Sequence, residues 1–225
     1  VGGHALWQAA RDVADSLDGG DLDHARRLLP GLVGRDASDL DEKEIARAAV
    51  ESVAENTVDA IVAPALWAAA AGAPGVLAYR AVNTLDAMVG HRSDRYERFG
   101  WASARLDDAA NWVPARVTAV LVAAVRPRAA AAVVHTVRHQ APAHPSPNAG
   151  VAEAAFAAAL GLRLGGVNRY GDRVEERPPL GDGPPPQAAD VHRAIRLSSD
   201  VAWALTGAAA LAAVSGRRRS GSGRG

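Results

Sequence analysis

The sequence predicts an all-α protein of several helices, and both composition and spacing support this. Hydrophobic residues make up 48% of the 225 residues, but aromatic residues only 4%. Much of the apolar content is alanine, a strong helix former, and β-branched residues are fewer. Apolar residues recur with helical spacing, most regularly from about 42 to 62. A chain of this length holds one large domain or two small ones.

The composition also limits the chemistry. The formal net charge is +0, so there is no general electrostatic reason to expect a nucleic-acid partner. The chain has no cysteine, which excludes disulfides, cysteine-based zinc sites and cysteine nucleophiles. Lys43 is the only lysine, which rules out a Walker A loop. Any phosphate must therefore be held by arginines, helix N-termini or a metal.

The order of elements follows from periodicity and from the positions of Gly and Pro. The predicted elements are two short amphipathic helices over 4–29 divided at Gly19-Gly20, a polar turn over 34–39, a helix over 42–62, an apolar segment over 58–82, a polar and aromatic segment over 83–112, apolar helices over 113–125 and 129–137, a rigid Pro-rich loop over 140–150, a small helix over 151–160, a Gly/Pro-rich loop over 161–187 and a last apolar run over 201–214. Asp39 or Asp41 is positioned to cap the helix that starts at 42. Residues 1–216 are predicted to form a single domain, followed by a basic, flexible tail over 217–225.

Hydropathy leaves two architectures open. The segment over 58–82 is long enough to cross a bilayer, for which ~20 residues are needed, and its breaks at Pro64, Gly72 and Pro74 also allow a hairpin pair. The arginines after the last apolar run fit the cytoplasmic flank of a span. However, mean hydropathy is −0.06, and alanine contributes little insertion energy. A soluble bundle with alanine-rich core helices fits these features too.

One predicted helix carries a stripe of acids, Glu51, Glu55 and Asp59. A spacing of four residues places them on one face, where like charges repel unless a cation lies among them. The ordinary interpretation is a solvated helix face. The stripe nevertheless leads into a segment without charge until Arg80, and carboxylates at the mouth of such a segment indicate a functional site.

A second cluster lies between Arg105 and Arg116. Asp107 and Asn111 share one helix face, and Asp108 follows directly. Paired Asp and Asn are typical of Mg²⁺ ligation, because the ion prefers hard oxygen donors. The two arginines are suited to hold phosphate oxygens in bidentate fashion. The alternative is an i, i+3 salt bridge on an exposed helix.

Two smaller motifs complete the set. Tyr79, Asn83 and Asp86 share a helix face, which alternatively is a helix end capped by its polar residues. In the loop His144–Gly150 two prolines enforce an extended backbone, and Asn148 is positioned to cap the next helix. A stiff loop leading into a helix N-terminus is a plausible anion site, and a plain structural turn is the alternative.

In this order, the motifs resemble adenosylcobinamide-phosphate synthase, a membrane protein family of cobalamin biosynthesis. The resemblance runs from about residue 4 to about residue 214. The stretches that carry it are Val33–Asp36, Leu40–Glu42, ESVAENTVD at Glu51–Asp59, AVNTLD at Ala81–Asp86, FGWASARLDD at Phe99–Asp108, Asn111 with Pro114–Arg116, HPSPNAG at His144–Gly150 and Leu180–Gly183.

The resemblance implies a multi-pass integral protein of the inner cell membrane, with amphipathic and interfacial helices and a Pro/Gly-rich loop. The implied reaction joins a propionate carboxylate of adenosylcobyric acid to the amine of (R)-1-aminopropan-2-ol or its O-phosphate, with ATP as co-substrate and Mg²⁺ as cofactor. Its implied partners are this corrinoid, the amino alcohol, membrane lipid and other cobamide-assembly enzymes. Further hydrophobic helices normally precede the point that matches Val1, so we expect that an N-terminal part is missing.

Residue roles follow from the same resemblance as predictions. The catalytic group is predicted to be Glu51, Glu55, Asp59 and His144, with His144 as the base for the amine. The Mg²⁺ ligands are predicted to be Glu55, Asp107 and Asp108. The substrate-binding residues are predicted to be Asn56, Asn83, Asp86, Arg105, Asn111, Arg116, Ser146 and Asn148. The alternative function is a non-catalytic membrane scaffold or sensor for cobamide assembly built on the same fold.

Overall fold

The computed structural model describes residues 2–33, 37–90, 97–170 and 173–221. The predicted polar turn at Gly34-Arg35-Asp36 lies outside these residues. The described part contains eight α-helices and one β-hairpin. Their bounds are α1 Gly2–Asp18, α2 Leu22–Leu28, α3 Glu42–Thr57, α4 Ala63–Leu85, α5 Glu97–Val125, α6 Ala130–His139, α7 Ala149–Leu160, β1 Leu164–Tyr170, β2 Arg173–Leu180 and α8 Ala188–Gly221. Wider π-helical turns, Val58–Val62 and Asp86–Gly90, follow α3 and α4.

The predicted helices are confirmed, but the loop predicted over 161–187 is wrong in its centre. There β1 and β2 pair as an antiparallel hairpin with an irregularity between Leu164 and Gly166. The all-α prediction is therefore corrected to a mainly helical fold with one hairpin. The local sequence did not reveal the strands because this segment is rich in glycine and proline. At Gly165, which has φ +85°, an added Cβ would lie 2.3 Å from the Pro178 carbonyl oxygen, so the hairpin itself requires a glycine there. Such glycines mark bulges but also resemble loop residues.

Besides their pairing with each other, the strands of the hairpin are anchored by side chains of α3. The Arg47 guanidinium donates from Nη1 to the Gly165 carbonyl at 2.8 Å and from Nη2 to the Val167 carbonyl at 2.8 Å. Glu51 Oε1 accepts the Gly165 backbone N–H at 3.0 Å. Two side chains of one helix thus bind the backbone of β1, a contact across more than 110 residues that no local pattern predicts.

Helices α3 and α7 form the centre of the fold. α3 starts with a capping box, in which the Asp41 side chain accepts the Glu44 N–H at 2.8 Å and Glu44 accepts the Asp41 N–H at 2.9 Å. Of the two predicted caps, Asp39 and Asp41, the structure therefore has Asp41. The middle of α3 is buried, and α7 is buried along most of its length around Phe156. α8 begins well before its apolar run and continues to Gly221, into the predicted tail.

The apolar segment that starts at Ala63 doubles back on itself. Gly72 in α4 has φ 64° and ψ −151°, a backbone conformation outside the helical region. On the far side of this break, the Tyr79 hydroxyl lies 3.2 Å from the Asp59 carbonyl oxygen, and Asn83 Nδ2 lies 3.2 Å from Asp59 Oδ2. A straight helix would separate residues 59 and 83 by about 36 Å. Of the two predicted options, the structure has the hairpin pair.

Long apolar helices nevertheless remain exposed. By length and composition alone, two helical stretches could cross a membrane: Glu42–Met88, which contains the reversal at Gly72, and Ala188–Ser215. A third candidate arises if the sharply bent pair around Arg126 counts as one span. Large apolar side chains lie exposed on α4, α5 and α8, including Leu77, Val120 and Leu211. Soluble proteins rarely leave such extended apolar surfaces open, so these features are consistent with the predicted membrane protein.

Candidate functional site

A polar cavity of about 230 Å³, here called the central cavity, lies where α3, α5, α7 and β2 meet. Most of the residues predicted from sequence line it. Those that do are Glu55, Asp59, Asp86, Asp107, Asn111, His144, Ser146 and Asn148. They come from the acidic stripe, the α4 end, the α5 cluster and the His144 loop, so the four motifs converge on one site.

One wall of the central cavity is a network of acids and amides. Asn83 Nδ2 donates to Asp59 Oδ2 and to Asp107 Oδ1, each at 3.2 Å. Asn111 Nδ2 donates to Asp107 Oδ2 at 3.0 Å, and its Oδ1 accepts from the buried Tyr79 hydroxyl at 3.0 Å. The reversal of α4 at Gly72 is what brings Tyr79 and Asn83 to this wall. The two amides orient both carboxylates toward one region without neutralising them.

The His144 loop forms a second wall, and α5 holds it. Asn148 Nδ2 donates to the Asp108 carbonyl at 2.8 Å, and Asn148 Oδ1 accepts from Arg116 Nη1 at 2.8 Å. Asn148 stands at the N-cap position of α7, as predicted, but its side chain makes no capping bond because α5 engages the amide. Instead Ser146 Oγ accepts the Ala149 N–H at 3.2 Å.

Beneath the cavity lies an acid that the sequence interpretation missed. Glu153 of α7 is 0% exposed, and its Oε1 lies 3.6 Å from His144 Nε2 and 3.5 Å from Arg177 Nη1. Arg177, on β2, also lies 3.8 Å from Glu55 Oε1 and lines the cavity. His144 Nε2 and both Glu153 oxygens make no hydrogen bond of ordinary length to the described residues. Buried polar atoms in this state are rare and are typical of functional sites.

Burial determines the protonation of this pair. Removal from water raises the pKa of Glu153 well above its ordinary value of 4.5, and the nearby carboxylates of Glu51 and Glu55 raise it further. Burial also lowers the pKa of His144, although the Ser146 backbone carbonyl, 3.0 Å from Nδ1, acts in the opposite direction. The site therefore favours a neutral imidazole beside a neutral carboxylic acid.

The remaining predicted residues lie around the cavity rather than in its lining. Asn56 donates to Ser52 within its own helix, at 3.0 Å. The Arg105 guanidinium lies 6.0 Å from the centre of the Trp101 ring. Asp108 contributes its backbone carbonyl to Asn148, while its side chain is outside the lining. Their predicted roles stay predictions.

Two of the predicted acids and bases have contacts that position other groups. Glu51 is buried and is 3.3 Å from Arg47, in the contact that holds β1. Arg116 holds the His144 loop and stacks over Trp112 at 4.5 Å. Sequence did offer one signal for the missed acid, because Glu153 is the only charged residue in the apolar stretch AGVAEAAFAAAL. No local signal pointed to Arg177.

The donor set of the central cavity fits Mg²⁺. Among the described residues, the acids and histidines whose ligand atoms all lie within 4.8 Å of one another are Asp15, Asp18 and His192, an exposed group that joins α1 to α8. The cavity carboxylates are thus spaced more widely than a closed cage requires. Mg²⁺ is usually held by one or two carboxylates, substrate phosphates and its own waters, and Asp59 and Asp107 with Glu55 suit that mode.

Fold and site together define a class: a mainly helical protein with membrane-length apolar helices and a carboxylate-rich polar cavity. The family profile described as CobD/Cbib protein matches residues 1–198. The "Cobalamin biosynthesis protein CobD" of Mycobacterium tuberculosis is 54% identical over 222 residues, 97% of this chain and 70% of that protein. The chain belongs to the CobD/Cbib family, and its role is in cobalamin biosynthesis.

Other relatives agree with this assignment. The proteins of the same name from Rhodobacter capsulatus and Chromobacterium violaceum are 52% and 47% identical over 186 and 213 residues. These alignments cover 82% and 95% of this chain, and 59% and 67% of the two relatives. No solved structure gave a significant match.

Proposed function

We propose that the central cavity is the active site of an ATP-dependent synthase that forms an amide bond on a corrinoid. The substrates would be adenosylcobyric acid and (R)-1-aminopropan-2-ol or its O-phosphate. Family membership supports the pathway, and the convergence of acids, amides, His144 and Arg177 on one cavity carries the proposal. At about 230 Å³ the cavity is smaller than the ~300–1,000 Å³ of pockets that enclose whole ligands. It suits one reacting arm, with the corrinoid ring at the opening.

The reaction divides into two balanced steps. The propionate carboxylate takes the terminal phosphoryl group of ATP, which releases ADP and leaves an acyl phosphate. The amine nitrogen then attacks the acyl carbon, the C–N bond forms, inorganic phosphate leaves and the nitrogen loses a proton. Arg177 would offset the negative charge of the reacting carboxylate. His144, which is neutral in this site, would accept the proton, and the Ser146 carbonyl, 3.0 Å from its Nδ1, would stabilise the resulting imidazolium.

The acid–amide wall would serve the phosphates. A bound Mg²⁺ would supply positive charge that offsets part of the negative charge of the phosphates. Asp59, Asp107 and Glu55 would hold it, and Asn83 and Asn111 would fix the two aspartates in position. Glu55, Asp59 and Asn83 belong to the apolar stretch Glu42–Met88, and the other two residues belong to α5, so the reaction would take place at the membrane.

Adjacent aspartates on α5 provide a matched test. We expect Asp107→Asn in the full-length protein to lower formation of cobinamide or its phosphate in membranes by roughly 100-fold or more, because it removes a charge from the cavity. Of the two predicted ligands, our proposal keeps Asp107, which lines the cavity, and not Asp108, whose side chain is outside the lining. Asp108→Asn should therefore stay within about threefold of wild type, since its backbone carbonyl contact with Asn148 survives the substitution, and a loss as large as that of Asp107→Asn would restore Asp108 as a ligand.

Wild-type activity in Asp107→Asn would contradict the proposed site. The alternative, a non-catalytic scaffold, is tested with the purified full-length protein. Such a scaffold should form no amide when supplied with ATP, Mg²⁺, adenosylcobyric acid and the amino alcohol, and it should tolerate Asp107→Asn.

A further inference from the structure

A second cavity, here called the hairpin cavity, lies between the start of α3 and the β-hairpin. It measures about 380 Å³. Four cationic side chains line it, Lys43, Arg47, Arg163 and Arg177, against three carboxylates. Two of those carboxylates, Asp41 and Glu44, bind each other's backbone N–H in the capping box of α3. Arg47 and Arg177 face carboxylates outside this lining, which leaves Lys43 and Arg163.

Two of the cations are available to a ligand. Lys43 and Arg163 are exposed, and within the described ranges neither side chain has a hydrogen bond or ion pair, whereas Arg47 is engaged with β1. Arg163 directly precedes β1, and Lys43 is in the first turn of α3. Unsatisfied cations on opposite sides of a concave site are typical of anion binding.

The hairpin cavity adjoins the central cavity. Arg177 lines both of them, and its guanidinium lies 3.8 Å from Glu55 and 3.5 Å from Glu153 on the central side. A group transferred between two substrates needs them in adjoining sites, at near-contact distance. An anion in the hairpin cavity would lie on the other side of one arginine from the central cavity.

We propose that the hairpin cavity binds the phosphate groups of a phosphate-bearing substrate, through Lys43 and Arg163, with Arg177 between this site and the central cavity. This rests on the proposed function. The shared chemistry is a phosphoanion, and it has two possible sources: the polyphosphate of ATP or the O-phosphate of the amino alcohol.

The test measures steady-state kinetics of the full-length protein in membranes, with each substrate varied in turn. We expect Lys43→Ala and Arg163→Ala each to raise KM roughly tenfold for one phosphate-bearing substrate, with kcat little changed, because each loses one charge-assisted contact. Arg163→Lys should recover part of the loss. Arg11→Ala, an exposed arginine of α1 outside both cavities, is the matched control and should leave both KM values unchanged.

The outcomes are distinct. A raised KM for ATP assigns the site to the nucleotide, and a raised KM for aminopropanol phosphate assigns it to the amino alcohol. Unchanged KM values for both substrates in a double variant that combines Lys43→Ala with Arg163→Ala would overturn the proposal while leaving the proposed function intact. Absence of ATP-dependent amide formation by the wild-type protein would instead defeat the proposed function itself.

Discussion

At the scale of single residues, Glu153 is the most informative side chain. It is a carboxyl group inside an apolar helix, 0% exposed, with His144 and Arg177 as its near neighbours. Burial of an ionised carboxylate is costly unless it is well paired, which is why its pKa is raised. The three acids of the stripe, by contrast, have different contacts. Glu51 holds the hairpin, whereas Glu55 and Asp59 face the central cavity.

This raised pKa predicts a pH dependence. Stability contributed by Glu153 is fully present below its ordinary pKa of 4.5 and is lost as pH rises toward the folded-state pKa. In Glu153→Gln the side chain cannot ionise, so this loss of stability with pH is absent. We therefore expect the difference in Tm, Gln variant minus wild type, to become more positive between pH 5 and pH 8. Thermal unfolding of the full-length protein in detergent measures it.

A second variant at the same position tests this interpretation. Glu153→Ala should be less stable than Glu153→Gln by about 1–3 kcal/mol, because truncating this fully buried side chain leaves an empty space beside His144. A flat profile for Glu153→Gln would show that the acid is not buried as described.

At the scale of elements, the reversal of α4 decides whether the site forms. Its two arms, 63–71 and 73–85, are about 14 Å and 20 Å long at 1.5 Å per residue. Neither reaches the ~30 Å of a bilayer core. The arms therefore serve to return Tyr79 and Asn83 to Asp59. The β-hairpin likewise brings a residue from a distant part of the sequence to the central cavity, because Arg177 lies on β2.

A substitution at Gly72 tests whether the reversal depends on the backbone conformation of this residue rather than on side-chain packing. The nearest atom to a Cβ added at Gly72 is Pro74 Cδ at 3.9 Å, so there is space for a side chain. The φ and ψ of Gly72 are nevertheless restricted almost entirely to glycine, and we expect Gly72→Ala to destabilise the protein by about 1–3 kcal/mol. Chemical unfolding in detergent measures it.

The control is a glycine of α8 with the opposite expectation. An added Cβ at Gly207 meets no atom within 4 Å, and its φ is not positive. Gly207→Ala should be neutral or stabilise the protein by up to about 1 kcal/mol, because alanine is the better helix former. Equal effects at both positions would argue against a strained reversal at Gly72.

At the scale of the whole molecule, the polar site and the apolar surfaces belong to different parts of the same helices. α3 is buried near the site, while the α4 reversal and the part of α8 from Trp203 to Val214 are apolar and exposed. We interpret α4 as a re-entrant hairpin that enters the membrane and returns to the same side. Such a segment is tolerated where its irregular backbone is protected by the protein.

Cysteine labelling tests this topology, and the chain has no cysteine of its own. We expect Ala70→Cys and Ala209→Cys to resist a membrane-impermeant maleimide in intact membranes and to react after solubilisation. Glu42→Cys and Thr84→Cys, before and after the reversal, should react from the same side. Labelling of these two from opposite sides would mean that α4 crosses the membrane.

The sequence by itself determined the mainly helical class, the start of α3 with its cap narrowed to Asp39 or Asp41, the breaks between helices and most residues of the central cavity. These follow from local periodicity, from Gly and Pro positions and from recognisable motifs. Only the tertiary structure decided three things: that α4 turns back at Gly72, that residues 164–180 form a hairpin held by Arg47, and that Glu153 and Arg177 join the site. The reason is physical, because each depends on contacts between residues distant in sequence, and the protonation of Glu153 depends on how completely those contacts exclude water.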